Sequence, residues 1–420
     1  MARGRGVCRV ALVLQSTSSG GMETHAIDLA AEYVRRGMDV LVFMPIDAAL
    51  DEVASRFTAN GAVVARLNTD GRSGRQHQAA SVVRYARSLR SFAPNIVHVH
   101  TGGATGGLAA VAIARAVTHA TVGITEHDVP GVRPSRGQRL GRALVDRSAH
   151  TVVAVSRRNA RIRDARLRVQ NNDFCVVLNG VPIPAGTTDP GDVAAVRARH
   201  GLRTEDVVLG SLVRLAEGKG LVTLLDAFAI LRRDGPCKLL LVGDGPLRQV
   251  LEARAEATGF GEDIVFAGRQ SPPAPYLDAM DAFVLPVPAG SMSIALLEAM
   301  ARGLPPLITF GGPEEAVING ETGLVAPPSD PPALAAMMRL LVEDAGLRGR
   351  LADAAARHVR RNYSVERVAD DLLELFSAAR DGRMVERLRA SGPPDRRPGE
   401  HASTSETDGV EIAVRERRAS

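Results

Sequence analysis

Apolar runs of strand length alternate with amphipathic stretches of helix length along almost the whole chain, and few folds accept that order. In the first half, runs at 10–14, 40–43, 96–100, 122–125, 152–155 and 176–178 predict strands, each followed by helical or loop sequence. Such an order predicts parallel sheets built from right-handed crossovers, an α/β architecture. A chain of 420 residues is long enough for two such units. Residues 183–206 interrupt the alternation with Pro, Gly, Thr and charge. The expected division is therefore an N-terminal domain over 1–185, a linker over 186–206 and a C-terminal domain over 207–362. A last amphipathic helix is predicted over 363–380, and the residues of 381–420, with few apolar side chains and no periodicity, predict a disordered tail.

Composition narrows the class. The three cysteines (Cys8, Cys175 and Cys237) show neither metal-ligand spacing nor a paired framework, which fits a reducing cytoplasm. No apolar run approaches the ~20 residues of a membrane span. The basic and then apolar start imitates a signal peptide, but residues 10–14 pass directly into a glycine loop and an amphipathic helix, as a first strand does.

Charge is uneven. Residues 1–185 hold 24 arginines against 13 acids, or +11, and the remainder holds 28 Lys+Arg against 34 acids, or −6, which sums to +5. Within 131–170, Arg133, Arg136, Arg139 and Arg142 recur every third residue and would share a helix face. That face reads either as solvated or as a surface for anionic lipid or an acidic acceptor, the second implying peripheral contact at the inner side of a membrane. Aromatic residues at 3% are too few for base stacking, which argues against nucleic acid.

The stretch 286–312 carries the most functional information. It leaves a predicted strand at Leu285, crosses a loop with Gly290, Ser291 and Met292, opens a helix at Ser293 and Ile294, and reaches a second strand before Gly311 and Gly312. This is the pattern of a ligand mouth at strand ends. Glu298 stands alone among apolar neighbours, where a carboxylate needs hydrogen-bond donors such as a sugar diol; a solvated helix-face glutamate is the plainer reading.

Upstream, Arg214 and Lys219 lie in a loop with Gly218 and Gly220 before a helix predicted from Leu221, a cradle suited to a diphosphate. Of 52 Lys+Arg only Lys219 and Lys238 are lysines, so a lysine in this loop stands out. Another strand runs into Gly243 in a Gly-Asp-Gly-Pro turn. In the first half, Gly20 and Gly21 leave backbone amides open to a phosphate or acceptor, with a plain strand-to-helix turn as the alternative.

His127 follows a strand and reads either as a site residue or as a buried hydrogen-bonding histidine. His98 and His100 share one side of their strand by period two, and His25 lies on the first helix; these three read as structural or acceptor-side. The histidines lack the spacing of a zinc site, so no metal and no organic cofactor are expected.

Taken in order, these stretches resemble the large family of retaining nucleotide-sugar glycosyltransferases with the GT-B fold, often called family four. The matching motifs are SSGGMETHAIDLA (18–30), PNIVHVH (94–100), TEHD (125–128), VVAVS (152–156) and VVLNGVP (176–182) in the first half. In the second they are RLAEGKG (214–220), VGDGP (242–246), VFAG (265–268), LLEAMARG (296–303) and GGPEEAVINGETGLV (311–325), so the resemblance spans about 7–378. It implies two Rossmann-like domains whose parallel sheets face each other across a cleft, with the helix over 363–380 crossing back onto the first domain. It further implies metal-independent transfer from a nucleotide-diphosphate sugar to a hydroxyl acceptor, in polysaccharide, glycolipid or secondary metabolite assembly.

By this resemblance Arg214 and Lys219 neutralise the leaving diphosphate, and Glu298 holds the ribose. His127 contacts the donor sugar near the reacting carbon, and Gly20 and Gly21 line the phosphate and acceptor side. One departure stands out. The family pairs two glutamates eight positions apart, and counting back from Glu298 reaches Gly290, so the acid expected on the donor-sugar hydroxyls is missing. Ser291 or Ser293 is then a candidate substitute. A catalytically impaired sugar-nucleotide-binding partner subunit stays open as an alternative, as does a nucleotide-sugar 2-epimerase of the same architecture.

Overall fold

The structure, a computed structural model, describes residues 7–388 apart from 17–19, 68–74, 103–105, 128–134, 168–173, 187, 291, 384 and 386–387. The tail predicted to be disordered lies almost wholly outside the described residues, as do Ser291 and Arg133.

Seven strands form the first sheet: β1 (Arg9–Gln15), β2 (Asp39–Pro45), β3 (Val63–Leu67), β4 (Ile96–Thr101), β5 (Thr121–Glu126), β6 (Thr151–Ala154) and β7 (Phe174–Val176). Their spatial order is β3-β2-β1-β4-β5-β6-β7, every pair parallel. The helices among them are α1 (Gly21–Arg35), α2 (Asp51–Ala59), α3 (Arg75–Phe92), α4 (Leu108–Val117), α5 (Arg136–Ser148) and α6 (Arg157–Leu167). The central strands β1, β4 and β5 are buried on both faces, which is why they read as unbroken apolar runs. β3 was not anticipated. It is an edge strand whose Val63 is 64% exposed, so it carries no buried run to betray it.

After α7 (Pro190–Arg199), six strands form the second sheet: β8 (Val208–Leu212), β9 (Lys238–Val242), β10 (Ile264–Gly268), β11 (Ala282–Leu285), β12 (Pro306–Thr309) and β13 (Leu324–Ala326). Their order is β10-β9-β8-β11-β12-β13, again all parallel. Around them run α8 (Leu221–Arg232), α9 (Arg248–Ala257), α10 (Ala274–Asp278), α11 (Ile294–Ala301), α12 (Pro331–Glu343), α13 (Ala345–Asn362) and α14 (Val365–Arg380). Two domains with parallel sheets and covering helices are the GT-B arrangement the sequence predicted. The stretch 186–206 contains α7, whose Val196, with the following Leu202, is buried in the core of the second domain.

The chain crosses between domains twice, side by side. The Val181 amide donates to the Tyr363 carbonyl at 2.9 Å, and the Val365 amide donates to the Val181 carbonyl at 3.0 Å. A Cβ on Gly180 would lie 2.9 Å from the Ser364 carbonyl oxygen, so only glycine fits that crossing. Beyond it α14 packs on the first domain, burying Val368, Leu372, Leu375 and Phe376 with Ile27 and Tyr33 of α1. Phe376 presses on β5 at Gly123, where a Cβ would meet its ring at 2.3 Å.

The arginine face predicted over 133–142 needs correction. Arg142 is fully buried rather than surface-facing. It pairs with Glu126 at the end of β5 and with Asp146 at 2.8 Å, while Arg163 of α6 meets Glu126 at 3.1 Å and Asp146 at 2.5 Å. The Arg163 guanidinium also stacks 4.4 Å from the Phe174 ring centroid. On the outward side of α5, Leu140 and Leu144 are exposed beside Arg147. Among the described residues no helix is long and apolar enough to cross a membrane.

Candidate active site

The carboxyl ends of strands from both sheets open into one chamber of about 560 Å³ between the domains. β1 leads toward Gly20 and Gly21, β5 into His127, β8 into Arg214 and Lys219, and β11 into the loop with Gly290, Met292, Ser293 and Ile294; all of these line the chamber. Strand ends are where open α/β sheets bind ligands, because loops and helix N-termini converge there.

The C-terminal wall is cationic. Arg214 is exposed and Lys219 half-buried, and neither makes an ion pair with any described residue. The other lysine, Lys238, is held by Asp263 at 2.8 Å. The Lys219 loop is seated by Gly220 at φ +70°, where a Cβ would fall 1.9 Å from the Pro286 carbonyl oxygen. That approach joins the cationic loop to the loop after β11 and can be made only by glycine.

Beside it α11 begins. The Ser293 hydroxyl accepts from the Leu296 amide at 3.3 Å as the N-cap, and Ile294 and Ala295 at the positive end of the helix line the chamber. Two unpaired cations and a helix N-terminus together suit a diphosphate.

The N-terminal wall is more neutral. Gly21 stands opposite Ile294, with 3.6 Å between its Cβ position and Ile294 Cγ1, so α1 and α11 meet at the chamber. His127 is buried against His25 and His100, and burial first, then these two neighbours, holds its imidazole well below the ordinary value. Burial likewise brings His25 down to about 4 and His100 down to about 3.

Glu23 and Asn179 are among the lining residues that the sequence did not single out. Glu23, in the first turn of α1, is buried, and desolvation pushes its carboxyl up against hydrogen bonds from Ser16 and the backbone of Glu23 and Gly20. Asn179 donates to the Met292 carbonyl at 3.3 Å across the domain boundary. Glu23 reads in sequence as an ordinary helix-face acid, and Asn179 sits in a matched motif whose partner lies 113 positions away.

Two predicted site residues do not line the chamber. Gly243, at φ +135°, lies where the ends of β8 and β9 meet, and an added Cβ would fall 2.0 Å from the Val213 carbonyl oxygen. Glu298 lies one turn into α11, half-buried; burial pushes it up to about 7 against the pull of Arg56 and Arg302. Burial first, and then the charge of Glu298, raises Asp28 of α1 to about 7 as well, against the pull of Arg56.

Gly290 lines the chamber, and its carbonyl accepts from Arg158 Nη1 at 3.1 Å. A smaller space of about 350 Å³ adjoins it, lined by Arg158, Glu314 and Glu315. There Glu315 ties the domains by accepting from the Arg157 and Arg158 amides at 2.9 and 2.8 Å. Among the described residues no group of three or more His, Cys, Asp or Glu is arranged to hold a metal ion.

Comparison with known proteins agrees with this geometry. A family model described as Glycosyltransferase Family 4 matches residues 19–183, and one described as Glycosyl transferases group 1 matches residues 192–358. The lipopolysaccharide core biosynthesis glycosyltransferase LpsE of Rhizobium meliloti is 33% identical over 193 residues, 46% of this chain and 56% of that protein. The match therefore spans about half of that relative. The D-inositol 3-phosphate glycosyltransferase of Rhodococcus jostii is 27% identical over 391 residues, covering 86% of this chain and 85% of that protein. Anabaena HepE, solved in complex with UDP and glucose, superposes with a TM-score of 0.73 at 20% identity over 88% of this chain and 99% of that one. With both domain models matched in order and the GT-B architecture in place, the chain belongs to the group 1, family-four glycosyltransferases.

Proposed function

We propose that the protein transfers a sugar from a nucleotide-diphosphate donor to a hydroxyl acceptor, with retention of anomeric configuration and without a metal. The observation that carries this reading is the pair Arg214 and Lys219, unpaired in a chamber built from both domains and set beside the N-terminus of α11. When the sugar departs, negative charge builds on the diphosphate, and fixed cations in a partly enclosed cleft stabilise that charge more than they stabilise the intact donor. The leaving phosphate then takes the acceptor proton, so no dedicated base is required. His127 would meet the donor sugar, and Gly20 and Gly21 would border the acceptor side. Glu298, one turn into α11 from the chamber-lining Ile294, would hold the ribose. That HepE was solved with UDP and glucose supports a nucleotide-sugar donor.

Docking to an anionic membrane is part of the same reading. Its support is the outward face of α5, where Leu140 and Leu144 are 66% and 50% exposed and Arg147 lies beside them. A panel of UDP-, GDP-, ADP- and dTDP-sugars tests the function. Turnover with at least one donor and a retained anomeric configuration in the product are expected. Tight nucleotide binding with no turnover of any donor would instead favour a partner subunit.

A further inference from the structure

The histidines packed behind His127 carry more than its own assignment. The two-residue repeat of β4 sets His98 and His100 on one side, and the parallel register places His100 beside Thr125 of β5. His98 and His100 lie 4.1 Å apart by ring centroids, and His100 and His127 lie 5.3 Å apart in a stacked arrangement. His25 packs edge-on against His127 at 5.3 Å and is hydrogen-bonded to the backbone of Gly180. His98 Nε2 meets Thr125 Oγ1 at 2.7 Å, and His100 Nδ1 meets His127 Nε2 at 3.0 Å. His100 Nε2 is buried with no partner among the described residues.

These contacts decide where the protons sit. Burial keeps His100 and His127 neutral at ordinary pH, so each ring carries one N–H. Folded proteins leave a buried N–H without an acceptor more rarely than they leave an acceptor unused, so the His100 proton belongs on Nδ1, the nitrogen that has a partner. It donates to His127 Nε2. The His127 proton is then on Nδ1, which hydrogen-bonds to no described residue, and His127 is among the residues lining the chamber.

We infer that His100 is a positioning residue that fixes His127 as the Nδ1–H tautomer, so that His127 meets the substrate as a hydrogen-bond donor and not as a base. The substrate atom it serves is then an acceptor, a sugar oxygen or a phosphate oxygen. That identity rests on the proposed transfer reaction, whereas the tautomer belongs to the unliganded protein.

The test uses the full chain labelled with ¹⁵N-histidine. Long-range ¹H–¹⁵N spectra identify which ring nitrogen is protonated, and His127→Phe assigns the His127 signals by their loss. The expected result is a protonated Nδ1 and an unprotonated Nε2 on His127 throughout the neutral pH range. His100→Asn, whose amide can replace the Nδ1–H donor, should keep both the tautomer and near-native turnover. His100→Phe should lose the tautomer and lower kcat by about 10–100-fold, with KM little changed, as expected for an orienting hydrogen bond. A wild-type His127 protonated on Nε2, or a His127 tautomer and kcat unchanged in His100→Phe, would overturn the inference. Should His100→Phe fail to fold, the wild-type spectrum and His100→Asn still decide. Absence of turnover with every nucleotide sugar would count against the transfer reaction and leave the tautomer measurement intact.

Discussion

Arg142 and Arg163 in the N-terminal domain and Arg214 and Lys219 in the C-terminal domain are cations in opposite circumstances. The first two are buried, and they share Glu126 and Asp146 in one set of ion pairs. The second two border the chamber between the domains and have no carboxylate partner among the described residues. The comparison teaches that pairing, rather than the number of basic residues, separates a structural cation from one available to a ligand. The N-terminal domain has the excess of arginine, yet the best-placed anion site is on the domain with net negative charge.

The largest effect should come from breaking the buried set. Arg163→Met takes from Glu126 and Asp146 a cation that pairs with both, and removing one partner of a buried ion pair costs about 3–5 kcal/mol. Urea unfolding should show that loss; a loss under 1 kcal/mol would mean that the set contributes little net stability. Lys219→Ala is the counterpart. It should leave unfolding within about 0.5 kcal/mol of the wild type, as a surface change does, while raising the transition-state barrier for donor turnover by about 2–4 kcal/mol. Near-native turnover in both Lys219→Ala and Arg214→Ala would remove the distinction drawn above.

A smaller effect is expected between the domains, at Asp28 and Glu298. Both carboxyls are pushed up to about 7, so the fold favours their neutral forms. The stability they contribute is present below the ordinary carboxylate range and is lost as pH rises through 7. Asp28→Asn should flatten that decline by on the order of 1 kcal/mol, seen as a narrower spread of Tm between acidic and mildly alkaline buffers. An identical pH profile in the variant would show that the fold does not raise the Asp28 carboxyl.

The weakest effect concerns α5. Sedimentation with anionic vesicles should fall when Leu140 and Leu144 are both changed to Ser, and it should fade as salt screens the arginines. Equal recovery with neutral and anionic vesicles would leave α5 as a solvated face.

Much of the fold could be read from the sequence, because buried parallel strands are apolar on both faces. The miss has the same cause in reverse: in β3 at the sheet edge only Leu67 is buried. The site was legible where chemistry is local, as with Lys219 among glycines or His98 and His100 at period two. It was not legible where contacts are tertiary. Arg142 was assigned to a surface because helical spacing cannot see Glu126 on a neighbouring strand. Glu298 was assigned to the chamber, but one further turn of α11 carries it toward Asp28. The His100–His127 hydrogen bond depends on the register between β4 and β5, which no spacing in the sequence reveals.

The central claim is that Arg214 and Lys219 hold a diphosphate, and nucleotide-dependent stabilisation tests it most directly. UDP, GDP, ADP and dTDP would each be titrated into the wild type, into Arg163→Met and into the double variant Arg214→Ala/Lys219→Ala, with Tm as the readout. At a hundredfold excess over Kd, a bound nucleotide stabilises the fold by about 2.7 kcal/mol. The account predicts a rise in Tm with at least one nucleotide in the wild type, a rise of similar size from the lower baseline of Arg163→Met, and little or none in the double variant. An equal rise in the double variant and the wild type, or no rise in the wild type with any of the four, would contradict it.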